Sequence, residues 1–550
     1  MLFNPDIKKL KTDLKKILWI YAFLLTGLVY IAGLFIDLTG DGGLYAAITR
    51  QMVESGDWFH LKINGEPYDQ KPHLLFWLAG IGVQLFGNTN FAFKLFPVLY
   101  GWLGFYFTYR LGKTLFTRET GKLAALLSAT SQVFFLYSFD IHTDIVLQSG
   151  VVLALWQLAA YLQYKKRLNF VLGFFGVGLA MLAKGPVGAV LPFFAVLIYL
   201  ISMKNFKALF HPKWILGVLI VLMTISPTLL HLYQNFGWYG IEFYFITNNF
   251  GRISGEYAGS SNDPFFYLYN AIWIFLPWTT FVFSAVYSEV KSWFSTVKRN
   301  SRRLYLLGGV LVYVAIISIA KGKAPNYFLI AVPPLMVLTA KWLNVWRKIY
   351  SGKRQLIFGM QWAFLSLLAV LLFFVVVVYK SDSLFWFGIL LFVSTAAVLG
   401  ALRNFNRFFY KIAFASVIFI ALFNFFINTE IVPSLAKYQG AQQALAVFEQ
   451  YSRPGDKLYN FALEEYELFF MADENVKDIK VPQNLYNLLD TNTTWVYTNK
   501  IKYNDISKME KKIDTVYRIN RRGLNELSLQ FLNPKKRAES LSTNYLIKAN

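Results

Sequence analysis

The sequence has no cysteine and few charged residues. Only 15% of its 550 residues are Asp, Glu, Lys or Arg, whereas 56% are hydrophobic. Without cysteine, the chain forms no disulfide and offers no thiolate ligand to a metal ion. So little charge among so many apolar residues is not typical of a soluble globular protein, and it indicates a chain that crosses a membrane many times.

Acidic residues are scarcer than basic ones. There are 31 Asp and Glu against 54 Lys and Arg, which gives a net charge of +23. Such an excess favours nucleic acid as a partner when the basic residues share one surface. Here most of them lie in short loops between apolar segments, where they orient a membrane protein, so we expect no nucleic-acid partner. The basic start leads into an apolar segment without a clear small-residue cleavage site, and we expect no cleavable signal peptide.

Long apolar runs recur along the first 436 residues. Since about 20 apolar residues span a bilayer, the pattern predicts about thirteen transmembrane helices, at 17–36, 92–112, 121–138, 145–163, 168–183, 186–202, 214–232, 266–287, 304–320, 326–343, 356–379, 383–402 and 410–428. The apolar segment 73–87 is short, and we predict that it lies in the membrane interface without crossing.

The loops between these predicted spans alternate in charge. One set is far more basic and includes the N-terminal lysines, Lys113 and Lys165, whereas the other includes 37–91, 139–144 and the surroundings of Lys184. The positive-inside rule places the basic set in the cytoplasm. We therefore predict a multi-pass protein of the cell inner (cytoplasmic) membrane, with a cytoplasmic N-terminus and, from the odd number of spans, an extracytoplasmic C-terminus.

The composition changes near residue 437. Apolar runs become shorter from there, and polar residues appear throughout. Short periodic runs predict strands at 457–462, 494–499, 514–520 and 526–532, and helices at 441–451 and 504–512. We predict two domains: a transmembrane domain (1–436), whose first outer loop (37–91) carries interfacial helices, and an extracytoplasmic α/β domain (437–550).

Ionisable residues gather in the loops that this topology places on the outer face. The first loop is the densest, with the sequence DLTGDGGLYAAITRQMVESGDWFHLKINGEPYDQKPHLLFWL at 37–78. Charged side chains at the ends of spans are costly unless they are paired, solvated or used. Basic residues that face one surface can neutralise a phosphate, and a carboxylate among them can act as a general base. This pattern indicates transfer of a group from a phosphate-linked lipid.

Five segments of the chain resemble, in the same order, the glycosyltransferase C (GT-C) superfamily. The closest resemblance is to its branch of protein O-mannosyltransferases and the lipid A aminoarabinose transferase. The segments are DGGLYAAITRQMVESGDWFHLKINGEPYDQKPHLLFWLAGIGVQLFG in the first outer loop, HTDIVLQSG (142–150), GLAMLAKGPVGAVLP (178–192), NNFGR with PFFYLYNAIWIFLPW (248–278) and KGKAPNYFLIAVPPL (321–335).

The resemblance implies an integral-membrane glycosyltransferase with the GT-C fold. Such an enzyme moves a hexosyl or pentosyl group, with inversion, from a polyprenyl-phosphate donor to a hydroxyl or phosphate of lipid A, a glycan or a protein. Asp41 matches the first residue of the family's acidic pair, which implies that it is the catalytic base. The predicted substrate-binding residues are Lys71, Asp144, Lys184, Arg252, Lys321, Lys323, Tyr327, Tyr45 and Tyr68.

The sequence departs from the family pattern at several site positions. Gly42 stands where the second acidic residue is expected, and Gln70 and Asn249 stand where the aminoarabinose transferase has metal-binding Glu and His. Amides are poor substitutes for these ligands. We therefore predict no tightly bound metal or other cofactor, while weak binding of a divalent cation by Asp41 and the donor phosphate stays open. His73 replaces a proline and either carries a proton or only packs.

Simpler interpretations remain for each of these residues. Asp41 can serve only as a helix N-cap, and Lys71 can extend towards lipid headgroups. Asp140 and His142 fit solvated loop residues better than a metal cluster. A second class of function also remains, because the altered acidic pair suits a non-catalytic relative or a carrier of lipid-linked sugar that uses the same cavity. Dependence of turnover on Asp41 would separate the two classes.

Overall fold

Helices dominate the computed structural model of the protein. It describes residues 5–255, 261–294, 301–346, 352–378, 384–405, 408–472, 476–479, 483–485, 494–508, 513–522 and 528–549. The first helices are α1 (Pro5–Leu34), α2 (Asp41–Ser55), α3 (Leu74–Phe86), α4 (Asn90–Leu115), α5 (Arg118–Ala129), α6 (Gln132–Phe139), α7 (Thr143–Tyr164), α8 (Arg167–Lys184), α9 (Val187–Ser202), α10 (Phe206–Leu209) and α11 (Lys213–Glu242).

The helical part continues beyond a π-helical turn at Phe243–Thr247. Its remaining helices are α12 (Asn248–Ser254), α13 (Phe266–Ile274), α14 (Thr279–Phe294), α15 (Ser301–Ile319), a 3₁₀ helix (Pro325–Ala331), α16 (Val332–Trp346), α17 (Gly352–Val378), α18 (Leu384–Asn404), α19 (Phe408–Phe426) and, after a second π-helical turn, α20 (Val432–Ala436). A hairpin of β1 (Lys62–Ile63) and β2 (Glu66–Pro67) lies between α2 and α3.

Apolar helices long enough to cross a membrane confirm the predicted polytopic fold. In the described part of the chain there are nine, at Asp13–Leu34, Thr143–Tyr164, Arg167–Lys184, Phe206–Thr247, Arg302–Ile319, Pro325–Trp346, Gln355–Phe374, Trp386–Asn404 and Phe408–Ala436. The total of about thirteen spans stays a prediction, and residues 379 and 383, at the ends of two of them, lie outside the described residues. Helix α3 has 13 residues, or about 20 Å at 1.5 Å per residue, which is too short to span.

Two predicted spans are interrupted, and the two interruptions contact each other. The segment 121–138 divides into α5 and α6, and 266–287 divides into α13 and α14. The Trp278 indole N–H donates to the Thr130 hydroxyl at 3.0 Å, and the Gln132 backbone N–H donates to the Leu276 backbone carbonyl at 2.8 Å. The backbone groups that the breaks release are thus partly satisfied within the protein, as a membrane interior requires.

Small residues allow the central helices α7 and α8 to pack closely. A Cβ atom on Gly150 would lie 2.7 Å from the Ala180 nitrogen, and one on Gly176 would lie 2.7 Å from the Ala154 nitrogen. Close packing of this kind replaces the hydrophobic drive that is missing between helices in lipid. It fixes the start of α7 next to the end of α8, where two of the predicted site residues lie.

The C-terminal part forms a mixed five-stranded sheet with helices. Its strands are β3 (Lys457–Phe461), β4 (Val476–Ile479), β5 (Thr494–Asn499), β6 (Ile513–Arg521) and β7 (Ser542–Ala549). They lie in the order β4-β3-β5-β7-β6, with β3 parallel to β4 and β5, and β7 antiparallel to β5 and β6. The helices are α21 (Gly440–Tyr451), α22 (Glu467–Met471), α23 (Lys500–Ser507) and α24 (Leu529–Leu532).

Alternating side chains bury both faces of this sheet. Trp495 and Tyr497 belong to one apolar cluster, and the intervening Val496 belongs to the other. The strand predicted at 526–532 is wrong: Leu529–Leu532 is a helical turn, because the Ser528 hydroxyl accepts from the Phe531 N–H at 3.2 Å and caps it. Residues 509–512 of a predicted helix and 526–527 of this strand lie outside the described residues.

Candidate active site

Asp41 is the first residue of α2 and points into open space. Gly40 occupies the N-cap position with φ 53°, and no side chain caps the helix from within its own sequence. The interpretation of Asp41 as an N-cap is therefore wrong, because the N-cap is one residue earlier. The Asp41 side chain is 59% exposed. Its position in the first turn places the carboxylate next to the partial positive charge of the helix N-terminus.

Tyr45 and His142 lie next to the Asp41 carboxylate. The Tyr45 hydroxyl donates to Asp41 Oδ2 at 3.4 Å, and His142 Nδ1 lies 3.8 Å from the same oxygen. The other imidazole nitrogen, His142 Nε2, lies 3.3 Å from Asp140 Oδ2. Asp140 and His142 are thus not simply solvated loop residues, since both are partly buried and paired with each other.

The charges around His142 decide its protonation. Burial alone would lower the pKa of the imidazole, but Asp140, Asp41 and Asp144 outweigh it and raise the pKa above its usual value. Burial likewise opposes ionisation of Asp140, yet His142 lowers the pKa of that carboxyl. His142 therefore lies between two carboxyl groups, with one ring nitrogen 3.3 Å from Asp140 and the other 3.8 Å from Asp41.

Asp144 is held in a different way. It lies in the first turn of α7 and is 1% exposed at its side chain. Lys184, the last residue of α8, donates from Nζ to Asp144 Oδ2 at 2.5 Å, and the Asn326 amide donates to the same oxygen at 2.7 Å. The start of α7, the end of α8 and the 3₁₀ helix after α15 therefore meet at one buried carboxylate.

Arg252 and Tyr327 extend this network. The Lys184 ammonium lies 4.4 Å from the centre of the Tyr327 ring, and the Tyr327 hydroxyl accepts from Arg252 Nη1 at 2.7 Å. Arg252 Nε also donates to Asn248 Oδ1 at 3.1 Å. Neither Asn248 nor Asn326 was a predicted site residue, although both lie in segments that carry the family resemblance and Asn326 immediately precedes Tyr327.

Lys71 lies within electrostatic reach of Asp41 and also of Asp144, Lys184 and Arg252. Burial and the positive charges of Arg252 and Lys184 lower its pKa to about 7, while Asp41 and Asp144 act in the opposite direction. Tyr45, in turn, has its pKa raised by burial, with Tyr68, Asp41 and Asp144 adding to the effect. The structure thus brings together the predicted base and seven of the predicted substrate-binding residues. They are Asp41, Tyr45, Tyr68, Lys71, Asp144, Lys184, Arg252 and Tyr327.

Lys321 and Lys323 make other contacts. The Lys323 ammonium donates to the Ser261 carbonyl at 2.8 Å. The Lys321 side chain is exposed and runs beside Gly255, where a Cβ atom would lie 2.9 Å from Lys321 Cδ. Their assignment as substrate-binding residues stays a prediction that these contacts neither support nor test.

The residues that depart from the family pattern have partners in the structure. His73 is buried, with Nδ1 2.8 Å from the Thr228 hydroxyl and Nε2 2.8 Å from the Phe59 carbonyl, and burial lowers its pKa to about 4. It therefore packs as a neutral side chain that ties the first loop to α11. The Asn249 amide donates to the Tyr244 carbonyl at 2.9 Å, within its own helical segment.

Known proteins share both the sequence pattern and the fold of this chain. Residues 70–231 match the family described as dolichyl-phosphate-mannose-protein mannosyltransferase. An uncharacterized protein of Aquifex aeolicus is 28% identical over 54% of this chain and 58% of its own length. The undecaprenyl phosphate-alpha-4-amino-4-deoxy-L-arabinose arabinosyl transferase of Yersinia enterocolitica is 28% identical over 60% of each chain. The alignments thus span about six tenths of these curated relatives.

The solved structure of ArnT from Cupriavidus metallidurans bound to undecaprenyl phosphate covers 96% of this chain and 97% of its own, with a TM-score of 0.74 and 19% identity. At that identity the match establishes the fold. With the family match and the relatives, it confirms the resemblance seen in the sequence. The chain is thus similar in sequence to dolichyl-phosphate-mannose-protein mannosyltransferases and to the arabinosyl transferases, and it shares the fold of ArnT.

Proposed function

We propose that this protein is a membrane glycosyltransferase that takes a sugar from a polyprenyl-phosphate donor. The observation that carries the proposal is one exposed carboxylate, Asp41, beside a network of Lys71, Lys184 and Arg252. A base open to an acceptor and a cluster of cations for a phosphate are the two parts that such a reaction needs. Relatives named for undecaprenyl-phosphate sugar transfer support the donor class.

The reaction follows from these roles. An acceptor oxygen bonds to the anomeric carbon of the sugar while its proton passes to an Asp41 oxygen. The bond between that carbon and the phosphate oxygen breaks, and its electron pair leaves with the polyprenyl phosphate. Arg252 and Lys71 stabilise the charge that develops on this leaving group. Attack opposite the leaving group inverts the anomeric carbon.

We propose lipid A as the acceptor, which the resemblance to the lipid A aminoarabinose transferase implies, and an aminoarabinose-like pentose as the sugar. The name of the Yersinia enterocolitica relative specifies 4-amino-4-deoxy-L-arabinose as its sugar. Glycan and protein acceptors, and hexoses, are the alternatives. The site lies on the outer face of the cytoplasmic membrane, with the C-terminal domain on that side.

No tightly bound metal takes part in this proposal. Gln70 and Asn249 carry amides in place of acidic and imidazole ligands, and the Gln70 amide donates to Asp69 Oδ1 at 2.9 Å. Activity should therefore survive chelation. Loss of transfer with a strong chelator, and its recovery with zinc, would contradict this part of the proposal.

The proposal is tested with purified protein in lipid. Undecaprenyl phosphate that carries 4-amino-4-deoxy-L-arabinose is supplied with lipid A, and both products are followed by mass spectrometry. Release of undecaprenyl phosphate together with a glycosylated acceptor supports the proposal, and a panel of other donors then defines the sugar. Binding of every donor without any transfer would favour the sugar-carrier or non-catalytic alternative, which the missing acid at Gly42 keeps open.

A further inference from the structure

The C-terminal domain contacts the helix that carries Asp41. The Gly40 amide N–H, at the start of α2, donates to Glu467 Oε1 at 2.6 Å across 427 residues of sequence. The N–H of an N-cap residue has no partner within the helix, and the residue at N3 that can accept it in other helices is here Gly43, which has no side chain. Glu467, the first residue of α22, provides the acceptor instead.

Gly43 leaves the space that Glu467 occupies. A Cβ atom on Gly43 would lie 2.6 Å from Glu467 Cγ and 2.9 Å from Cδ. The neighbouring Gly42 is different, since the nearest atom to a Cβ there is Leu38 Cδ2 at 3.4 Å, the end of a flexible side chain. The two adjacent glycines thus provide a matched pair, of which only Gly43 is required by the contact with Glu467.

Arg50 makes the reverse contact at the other end of α22. Its guanidinium Nη1 donates to the carbonyls of Phe469 and Phe470, each at 3.3 Å, and to that of Ala472. Carbonyls at the end of a helix are the groups that lack partners within it, and a cation there is favourable. Asn88 adds a bond from its amide to the Phe470 carbonyl at 3.1 Å.

These contacts hold α2 at two points. Each of the two helices supplies the side chain that satisfies one end of the other, Glu467 at the start of α2 and Arg50 at the end of α22. The second oxygen of Glu467 is buried and has no hydrogen-bond partner among the described residues. Burial of this carboxyl raises its pKa to about 7, although the N–H groups of Glu467 and Gly40 favour the ionised form. We call the contacts of Glu467 and Arg50 the domain clasp.

We propose that Glu467 is a positioning residue for the reaction: through the domain clasp, the C-terminal domain fixes the start of α2 and so the direction of the Asp41 carboxylate. Catalysis is sensitive to small displacements, since a shift of about 1 Å in a reacting group costs up to about 100-fold in rate. The contribution of Glu467 to turnover rests on the proposed function. The contacts of the domain clasp do not depend on that function.

The test compares Glu467→Ala, Glu467→Gln, Gly43→Ala and Gly42→Ala in the full chain. Glu467→Ala and Gly43→Ala should lower kcat by about 10- to 100-fold with an unchanged KM for the donor, because Lys71 and Arg252 are untouched. Glu467→Gln keeps an acceptor oxygen and should recover most of the rate. Gly42→Ala should resemble the wild type. A merely structural role would lower the amount of folded protein and leave kcat of the folded fraction unchanged, which would overturn the proposal.

Hydrogen exchange at the start of α2 separates this inference from the proposed function. Amides of residues 40–45 should exchange faster in Glu467→Ala and Gly43→Ala than in the wild type, and at wild-type rates in Gly42→Ala and Glu467→Gln. If the wild type transfers no sugar but these amides still exchange faster in Glu467→Ala and Gly43→Ala than in the wild type, the proposed function has failed and the clasp has not. Unchanged exchange in all four variants would overturn the clasp itself. If Gly43→Ala does not fold, Glu467→Ala alone decides the result.

Discussion

The two halves of the candidate site are built in opposite ways. In the open half, Asp41 is 59% exposed, and its Oδ2 lies 3.4 Å from the Tyr45 hydroxyl and 3.8 Å from His142 Nδ1. In the closed half, Asp144 is 1% exposed and accepts hydrogen bonds from Lys184 and Asn326 at 2.5 and 2.7 Å. Both carboxylates lie in the first turn of a helix, so the helix position alone does not explain the difference.

The contrast indicates which carboxylate reacts. A general base must come within hydrogen-bond reach of the proton that it removes. The Asp41 side chain is exposed enough for that contact, whereas Asp144 is buried and accepts hydrogen bonds from a lysine and an amide, which it would first have to release. Within the proposed function, this contrast favours Asp41 as the base and gives Asp144 the role of orienting the cations that would bind the donor.

Replacement of Asp41 should have the largest effect on the reaction. Asp41→Asn preserves the shape of the side chain but cannot accept the proton, so transfer should fall by about 10²- to 10⁴-fold. The control is Glu66→Gln, the same change at an exposed residue of the same loop. Initial rates of product formation by mass spectrometry measure both. A wild-type rate in Asp41→Asn, with a large loss in Asp144→Asn, would move the base to the closed half.

Removal of one partner of the buried pair should mainly affect stability. Lys184→Met leaves Asp144 buried without its cation, and breaking a buried pair in this way costs about 3–5 kcal/mol. The variant with both Lys184→Met and Asp144→Asn should regain much of that loss, because no unpaired charge remains. Thermal unfolding in detergent provides the comparison. Equal midpoints for the wild type and Lys184→Met would mean that the pair is not a structural element.

Loss of a cation should weaken donor binding without changing the fold. Lys71→Ala or Arg252→Ala removes a hydrogen bond to a charged group, worth about 1.5–3 kcal/mol, or about 10- to 150-fold in affinity. Lys165→Ala is the control, because Lys165 lies at the opposite end of α7 from Asp144. Titration with undecaprenyl phosphate measures the three affinities. Equal affinities in the three variants would mean that the phosphate does not bind near Lys71 and Arg252.

The pH dependence of donor binding should report on Lys71. Its pKa of about 7 in the free protein means that the side chain is charged below pH 7 and neutral above it. A phosphodiester donor, whose charge is constant in this range, binds the charged form. Its affinity should be constant below pH 7 and fall by up to about tenfold per pH unit above it. Lys71→Arg, which stays protonated, should flatten the curve, and an equally steep fall in that variant would assign the titration to another group.

The sequence predicted the elements better than the contacts between them. Apolar runs and loop charge are local signals, and they indicated the helical membrane fold. The breaks in 121–138 and 266–287 depend on each other across the fold, as the bond from Trp278 to Thr130 shows. Nothing near Asp140 or His142 in the sequence indicates that His142 lies between Asp140 and Asp41. The contact of Glu467 with Gly40 joins two predicted domains and has no local signal at all.

The most direct test of the two-part site is the affinity of Asp41→Asn for undecaprenyl phosphate, measured beside Arg252→Ala. The lipid phosphate should bind the closed half, so Asp41→Asn should keep the wild-type dissociation constant within about twofold, although its transfer rate is lost. Arg252→Ala should bind about 10- to 150-fold more weakly. An Asp41→Asn variant that binds as weakly as Arg252→Ala would contradict the separation of base and phosphate site.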